Sequence, residues 1–333
     1  MKIAIVGFQG CGKTTVFKAV TGLQKIEPSK HNLGKVEYPD PRLEKLAEIV
    51  KSKKITFEEL VFVDEPGFNL SSIKDIEVLM HVIGVFSGRN YAKDVENMKA
   101  EFILSDLSIV EKRLPRLEKE IASSPSNEKE NEKNTLLKCK MSLDKNQPLK
   151  DLKLSEDEER IIAGYQFLSR KPIFTLFNLD DSQVNPPILD DIKAVAEKNN
   201  LKSVNLCAKI EAELQELDAG EREEFAKSLG LEKSARQRVI QITREVMKLV
   251  TFFTVKSEEA KAWPIPEGAK AIEAAGKIHT DIKKGFIKAE VINYNDFVNC
   301  GTFQEAKNKG LLKLEGKEYI VRDGDIIDFK FNV

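Results

Sequence analysis

The sequence predicts an α/β fold in which a parallel sheet is interrupted by a helical hairpin and followed by a smaller α+β module. Apolar, strand-like runs alternate with helical patterns over residues 1–90 and again over 171–250, which is typical of a parallel sheet. Residues 91–170 are instead helical and charged. From residue 251 onward, short β-rich runs are separated by glycine turns. The predicted domains are therefore 1–90 plus 171–250, the insertion 91–170, and 251–333.

Each domain has its own predicted elements. The strands of the first domain are predicted at residues 2–8, 60–64, 82–86, 173–178 and 203–207. In the insertion, apolar residues at three- and four-residue spacing predict one stripe on a long helix, and the polar stretch 123–134 is interpreted as the tip between two antiparallel helices. The last module has predicted strands at 286–293, 317–321 and 326–333 and a helix at 271–278, a β-grasp-like arrangement.

Composition limits the class of protein. The chain has 333 residues, 41% hydrophobic and 32% charged, with a net charge of −1, so general attraction to nucleic acid or to an anionic membrane is not expected. No apolar stretch approaches the ~20 residues that span a bilayer, and the chain begins directly with a strand, so no signal peptide is expected. Its four cysteines form no C-x-x-C pair, which favours a cytoplasmic protein without a zinc or disulfide framework.

A phosphate-binding loop follows the first strand. Residues 7–14 fit G-x-x-x-x-G-K-[ST] at every defined position, and in the strand–loop–helix context this pattern indicates backbone amides directed at phosphate oxygens. Lys13 is expected at the β/γ-phosphates, Thr14 on Mg²⁺ and Thr15 at the inner phosphate. The predicted phosphate-site residues are Gly7, Gln9, Gly10, Cys11, Gly12, Lys13, Thr14 and Thr15.

A D-x-x-G element ends the second predicted strand. Asp64 would stand beside Mg²⁺, and the amide of Gly67 near the γ-phosphate. D-x-x-G is also a common turn, but its place at a strand end after a phosphate loop favours the nucleotide interpretation.

The predicted base site follows two later strands. Asn178, Leu179 and Asp181 resemble the N-K-x-D element of GTPases without its lysine. Asp181 could accept from N1 and N2 of guanine, whereas adenine offers a different donor. A second loop, Cys207, Ala208 and Lys209, stands where GTPases have S-A-K, and its amides could contact the base.

With these elements in order, the chain resembles the YchF/Obg-like ATPase family, a branch of the translation-factor-related P-loop GTPases. The most specific matches lie near the C-terminus, and others are spread along the chain. They are residues 252–255, 260–263, 274–281, 284–291, 323–327 and 331–333, with 39–43, 106–107, 110–114 and 211–218.

The resemblance implies a P-loop G domain, an inserted coiled-coil hairpin and a C-terminal TGS domain. It also implies a ribosome or other RNA as partner. With the motifs above, the expected ligands are Mg²⁺ and ATP or GTP; no membrane is expected as partner, and no oligomer is predicted. Many members prefer ATP and have glutamate at the base motif, whereas this chain has Asp181, which leaves both nucleotides open.

Two departures from the family pattern concern catalysis. Lys25 stands where switch I of the family has threonine, and the glycine-rich stretch of switch II is missing. Phe68 keeps the family's hydrophobic residue where many GTPases have a water-orienting glutamine. No catalytic side chain is identified, so slow hydrolysis is the working hypothesis.

Three functions are compatible with these motifs. The favoured one is a slow nucleoside triphosphatase that acts as a translation-linked switch. The alternative is a ribosome- or RNA-binding scaffold that holds nucleotide without significant hydrolysis. A P-loop metabolic kinase is the third, but it leaves the Asn178 motif and the C-terminal module unexplained.

Overall fold

The computed structural model describes residues 1–27, 31–65, 70, 72–73, 75–86, 90–181, 188–228 and 233–332. Contacts divide the chain into two compact units. The first comprises Met1–Gly34 and Val61–Ile242, and the second comprises Lys35–Leu60 and Thr243–Val333. Residues 35–60, which the sequence analysis placed in the G domain, thus group with the C-terminal module. The division into three domains stays a prediction.

The strands in the described part of the chain form two sheets. They are β1 (Lys2–Val6), β2 (Asn32–Tyr38), β3 (Ile55–Thr56), β4 (Glu58–Asp64), β5 (Val78–Val85), β6 (Ile173–Leu179), β7 (Ser203–Leu206), β8 (Leu249–Val255), β9 (Ala260–Pro266), β10 (Phe286–Asn293), β11 (Lys313–Glu315) and β12 (Asp325–Phe331). The first sheet has the order β2-β4-β1-β5-β6-β7 and the second β11-β10-β12-β8-β9-β3.

Helices of widely different length connect these strands. In chain order they are α1 (Lys13–Thr21), α2 (Pro41–Val50), α3 (Tyr91–Ser123), α4 (Asn127–Asp144), α5 (Glu156–Ala163), α6 (Ile188–Lys198), α7 (Ala208–Leu214), α8 (Ala219–Ser228), α9 (Ala235–Met247), α10 (Ala271–Ile278), α11 (Thr280–Lys284), α12 (Tyr294–Cys300) and α13 (Phe303–Asn308). Within the described residues, no helix is both long enough and apolar enough to cross a membrane.

The first sheet is parallel from β4 through β7, as the alternation of strands and helices predicts. All eight residues of β5 are buried, which is typical of a strand covered on both faces. Because these strands run in one direction, their carboxyl ends lie along one edge. This edge carries the candidate site. It holds the loop that follows β1 and the residues at or just after the ends of the other strands, which are Asp64, Phe86, Asn178 and Cys207.

The insertion forms the predicted helical hairpin, but its tip is shorter than predicted. Helix α4 already begins at Asn127, so most of the polar stretch 123–134 is helical. Ser126 caps this helix by accepting a hydrogen bond from the Lys129 amide. The polar side chains that suggested a turn lie on the exposed face of the helix. Buried residues from Ile103 to Leu117 of α3 share one core with buried residues of α4, and this core includes Val110, Leu117 and Leu136.

The second unit is an α+β module built on the second sheet. Helix α2 belongs to it, because Leu43 and Leu46 share a core with Phe253 of β8 and Phe297 of α12. The strand predicted at 317–321 is wrong: this segment makes an isolated bridge through Ile320, and the edge strand is β11. The backbone of this segment is bonded to the start of α10 instead, because the Tyr319 carbonyl accepts from the Ala271 amide and the Val321 amide donates to the Ala269 carbonyl.

Candidate nucleotide-binding site

The phosphate loop has the left-handed backbone that its glycines allow. Gly10 and Gly12 have φ angles of 76° and 89°, values that other residues adopt only with strain. Gly12 is the N-cap of α1, so the first amides of that helix face the loop. The Lys13 ammonium folds back over the loop and donates to the carbonyls of Gly7 at 2.8 Å and Phe8 at 3.4 Å. A cationic group and a helix N-terminus thus meet at the loop, which suits a phosphate.

The two predicted magnesium ligands lie side by side. The Thr14 hydroxyl donates to Oδ2 of Asp64 across 3.2 Å, although fifty positions separate them in sequence. Burial raises the pKa of the Asp64 carboxyl, while the Thr14 hydrogen bond and the Lys13 charge oppose this rise. A hydroxyl and a carboxylate are hard oxygen donors of the kind that Mg²⁺ takes with nucleotide phosphates. These residues therefore fit the ion that the motifs imply.

Asn178 forms hydrogen bonds to both the phosphate loop and the predicted base loop at residues 207–209. Its Nδ2 donates to the Cys11 carbonyl at 3.1 Å, and its Oδ1 accepts from the Ala208 amide at 3.0 Å. Asn178 is buried at the end of β6. Its side chain therefore positions two loops, and the Ala208 amide already has a partner within the protein.

A cavity of about 300 Å³ opens beside this side chain. It is lined by Gly12, Thr15, Phe86, Asn178, Leu179, Asp180, Asp181 and Lys209. Small-molecule sites begin at about this volume. The ring of Phe86 offers an apolar surface and the two aspartates offer acceptors, a combination that suits a flat base bearing N–H groups. The Lys209 ammonium pairs with Asp181 at 2.6 Å in an exposed position.

Most of the predicted residues come together at this edge. Leu179 is buried in the core below the cavity, and Cys207 is buried directly before α7, where burial raises the pKa of its thiol. Gln9 is exposed on the phosphate loop. Gly67 lies outside the described residues. Their roles toward nucleotide stay predictions.

Two features were not predicted. Phe86 lines the base cavity, and its ring lies so close to Gly84 that an added Cβ there would be 2.7 Å from it. The position of Phe86 at the end of a predicted strand was the sequence feature that could have indicated this role. The His31 ring contacts the carboxylate of Glu65, the residue after Asp64. This contact joins residues that lie 34 positions apart, and no local sequence pattern could indicate it.

The parallel sheet, the phosphate loop that caps α1, the Thr14–Asp64 pair and the cavity beyond Asn178 define a P-loop nucleotide-binding protein of the G-domain type. Comparison with known proteins gives the family. The chain is 38% identical to the ribosome-binding ATPase YchF of Escherichia coli O157:H7, over all of this chain and 99% of that protein. It is 34% identical to the protein of the same name from Bacillus subtilis, over 99% and 98% of the two chains. The chain belongs to the YchF family.

Two further comparisons agree with this assignment. The family model YchF-GTPase_C, described as a protein of unknown function (DUF933), matches residues 249–332. The structure of the Schizosaccharomyces pombe YchF GTPase superposes with a TM-score of 0.81 at 25% identity, covering 99% of this chain and 97% of that one. The predicted family and fold class are confirmed.

Proposed function

We propose that this protein binds ATP or GTP with Mg²⁺, hydrolyses it slowly and uses the bound state as a switch on the ribosome. The observation that carries the proposal is the contact between Thr14 and Asp64 beside the Lys13 ammonium. Two hard oxygen donors thus lie close to an ammonium group beside the start of α1, which supports a site for Mg²⁺ and phosphate. Relatives that align over the whole chain are named ribosome-binding ATPases, which supports the ribosome as partner.

The phosphate end of the site would work through a change of partners at Lys13. Its ammonium now donates to the Gly7 and Phe8 carbonyls, and it would turn to the β/γ-phosphate oxygens when nucleotide binds. Thr14 and Asp64 would hold Mg²⁺, which neutralises charge on the transferred phosphoryl group. Gly67 would donate its amide to the γ-phosphate, as the D-x-x-G motif implies.

The base end would select the nucleotide through Asp181. In the structure its carboxylate is paired with Lys209, and an exposed pair of this kind contributes little to stability. A base that donates to Asp181 could therefore replace Lys209 at small cost. The loop 207–209 would border the base, but the Ala208 amide, predicted to contact it, is already bonded to Asn178.

Slow turnover follows from the lack of an identified water-orienting side chain. Phe68 stands at the position that carries glutamine in many GTPases, and Lys25 replaces the switch threonine. Binding of nucleotide without turnover, on a ribosome- or RNA-binding scaffold, is the alternative supported by these same departures.

Calorimetry on nucleotide-free protein tests the proposal. Non-hydrolysable ATP and GTP analogues are titrated with and without Mg²⁺, and phosphate release is followed separately with ATP and GTP. We expect Mg²⁺-dependent binding of at least one analogue, slow release of phosphate, and loss of binding in Lys13→Ala. Binding without phosphate release would favour the scaffold, and wild-type affinity in Lys13→Ala would contradict the phosphate-loop assignment.

Ribosome association needs its own measurement. The protein is sedimented with purified ribosomes in the presence of the tighter-binding analogue, its diphosphate, or no nucleotide. A switch predicts co-sedimentation that depends on the nucleotide. Equal co-sedimentation in all three conditions would favour the scaffold, and its complete absence would contradict the ribosomal partner.

A further inference from the structure

The first unit contains a second cavity, distinct from the nucleotide site. It measures about 300 Å³ and lies against the face of the first sheet that carries His81 on β5 and Thr175 on β6. These two residues are direct partners in the sheet register. Met98 and Phe102 of α3 and Leu201, which precedes β7, also line the cavity. Because none of its lining residues lines the base cavity, it is a separate space.

His81 has no role in the nucleotide site and no partner for one of its polar atoms. The side chain is 3% exposed, and its Nε2 makes no hydrogen bond within the described part of the chain. Buried polar atoms normally have partners. Burial lowers the pKa of the imidazole to about 3, so the ring is neutral at physiological pH and offers a hydrogen bond rather than a charge. Thr175 adds a second polar group to an otherwise apolar sheet face.

The remaining lining residues give the cavity a cationic character. Four lysines line it, against the single carboxylate of Asp151. They are Lys99, Lys150, Lys171 and Lys198. Lys171 donates to the Ile76 carbonyl at 2.6 Å, whereas no salt bridge to a described residue is found for the other three. A pocket with a partly apolar wall, one unpartnered imidazole and several lysines is complementary to a molecule with an apolar body and a negative end.

We propose that this cavity binds a small organic anion, an aromatic or aliphatic body that bears one carboxylate or phosphate. The apolar body would contact Met98, Phe102 and Leu201. The ligand would hydrogen-bond to His81 or Thr175, and its anionic group would lie among the lysines. This site is independent of the proposed nucleotide chemistry.

The test uses the full chain saturated with Mg²⁺ and the tighter-binding nucleotide analogue, so that the nucleotide site is filled. The probe is 8-anilinonaphthalene-1-sulfonate, an aromatic anion whose fluorescence rises in apolar surroundings. We expect saturable binding of one probe per chain. The double variant Lys99→Gln/Lys198→Gln should weaken binding about tenfold, whereas Lys112→Gln/Lys119→Gln, two exposed lysines outside the cavity, should leave it unchanged. Equal affinity in both double variants, or no saturable binding, would overturn the proposal.

A second measurement locates the probe on the wild-type chain. The chain has three histidines, so ring signals of histidine-labelled protein can be assigned with His31→Gln and His279→Gln. The His81 signals should shift as the probe is added and follow the same saturation curve. Probe binding that leaves the His81 signals in place would mean that the dye lies elsewhere and would reject this site. N-phenyl-1-naphthylamine, the analogue without the sulfonate, should bind at least tenfold more weakly; equal affinity would remove the anionic part of the proposal.

Discussion

The side chain of Asn178 donates a hydrogen bond to the backbone carbonyl of Cys11 across 3.1 Å. This bond connects the end of β6 to the centre of the phosphate loop. Asn178 also accepts from the Ala208 amide, so one buried amide group fixes two of the loops that surround the base cavity. The geometry of the site therefore depends on Asn178, whose side-chain amide forms hydrogen bonds to other protein atoms.

Asn178→Asp tests this role. The carboxylate still accepts from Ala208 but cannot donate to Cys11, whose carbonyl it would repel. We expect the free energy of unfolding to fall by about 1–3 kcal/mol and nucleotide affinity to fall at least tenfold, measured by urea denaturation and calorimetry. Asn131→Asp, at an exposed position of α4, is the control. If both variants match the wild type, Asn178 does not hold the loops.

Comparing Gly12→Ala with Gly10→Ala tests how closely Asn178 packs against the phosphate loop. Both glycines have left-handed backbones, so each substitution introduces strain of about 1–2 kcal/mol. At Gly12 the added Cβ would also lie 2.3 Å from Nδ2 of Asn178, whereas nothing lies within 4 Å at Gly10. We expect Gly12→Ala to lower the melting temperature clearly more than Gly10→Ala. Equal losses would mean that the loop relaxes around the methyl group.

Asp64→Asn separates metal binding from phosphate binding. The amide has nearly the same shape and can still hydrogen-bond to Thr14, but it lacks the charge that favours Mg²⁺. We expect unchanged affinity for the ATP analogue without Mg²⁺ and loss of most of the gain that Mg²⁺ gives the wild type. Asp157→Asn, an 87% exposed residue, should keep that gain. A full magnesium response in Asp64→Asn would exclude Asp64 as a ligand.

Asp181→Glu examines base selection. Glutamate is the residue that the resemblance associates with ATP preference, and the longer side chain would change the distance to the base edge. We expect the ratio of ATP to GTP affinity to rise, measured with the non-hydrolysable analogues. Lys209→Ala, which removes the ion-pair partner and leaves Asp181 in place, serves as the comparison. An unchanged ratio in Asp181→Glu would remove this residue from the selectivity argument.

In the second unit, Asp323 connects α2 to β8. Its carboxylate accepts from Arg42 at 2.6 Å and from the Thr251 amide at 2.8 Å. Burial tends to raise the pKa of Asp323, but the hydrogen bonds from Arg42 and Thr251 lower it below its ordinary value of 3.8. A carboxyl whose pKa is lower in the folded state stabilises the fold at pH values above its pKa in the unfolded state. This contribution is lost as the pH falls through the pKa of the folded state.

We therefore expect Asp323→Asn to lower the free energy of unfolding by about 1 kcal/mol at pH 7, because the group is half-exposed and hydrogen-bonded to a cation. The difference from wild type should vanish below the folded pKa. The single tryptophan, Trp263 on β9, reports the unfolding of this unit. Glu258→Gln in the exposed Lys53 pair should have little effect at either pH. A pH-independent loss in Asp323→Asn would mean that its charge is not the cause.

Local motifs predicted the parts of the fold that depend on short-range chemistry. The phosphate loop, the strand that ends at Asp64 and the hairpin all have sequence periods or turn residues of their own. Strand β2 and helix α2 were not among the predicted elements. Leu43 of α2 shares a core with Phe253, more than two hundred residues away in sequence, and no local pattern indicates such packing. Contacts such as the hydrogen bond from Asn178 to Cys11 likewise depend on which strands are neighbours in the sheet, and local sequence patterns do not predict strand order.

The path of the chain between Thr14 and Asp64 limits how this protein can be divided. Residues 35–60 belong to the second unit although they lie between the two candidate magnesium ligands. Removing everything after residue 242 would therefore not release an intact nucleotide-binding half. It would leave Leu43 and Leu46 without their partners and expose apolar surface that invites aggregation. An exchange of the C-terminal module therefore has to include residues 35–60 as well.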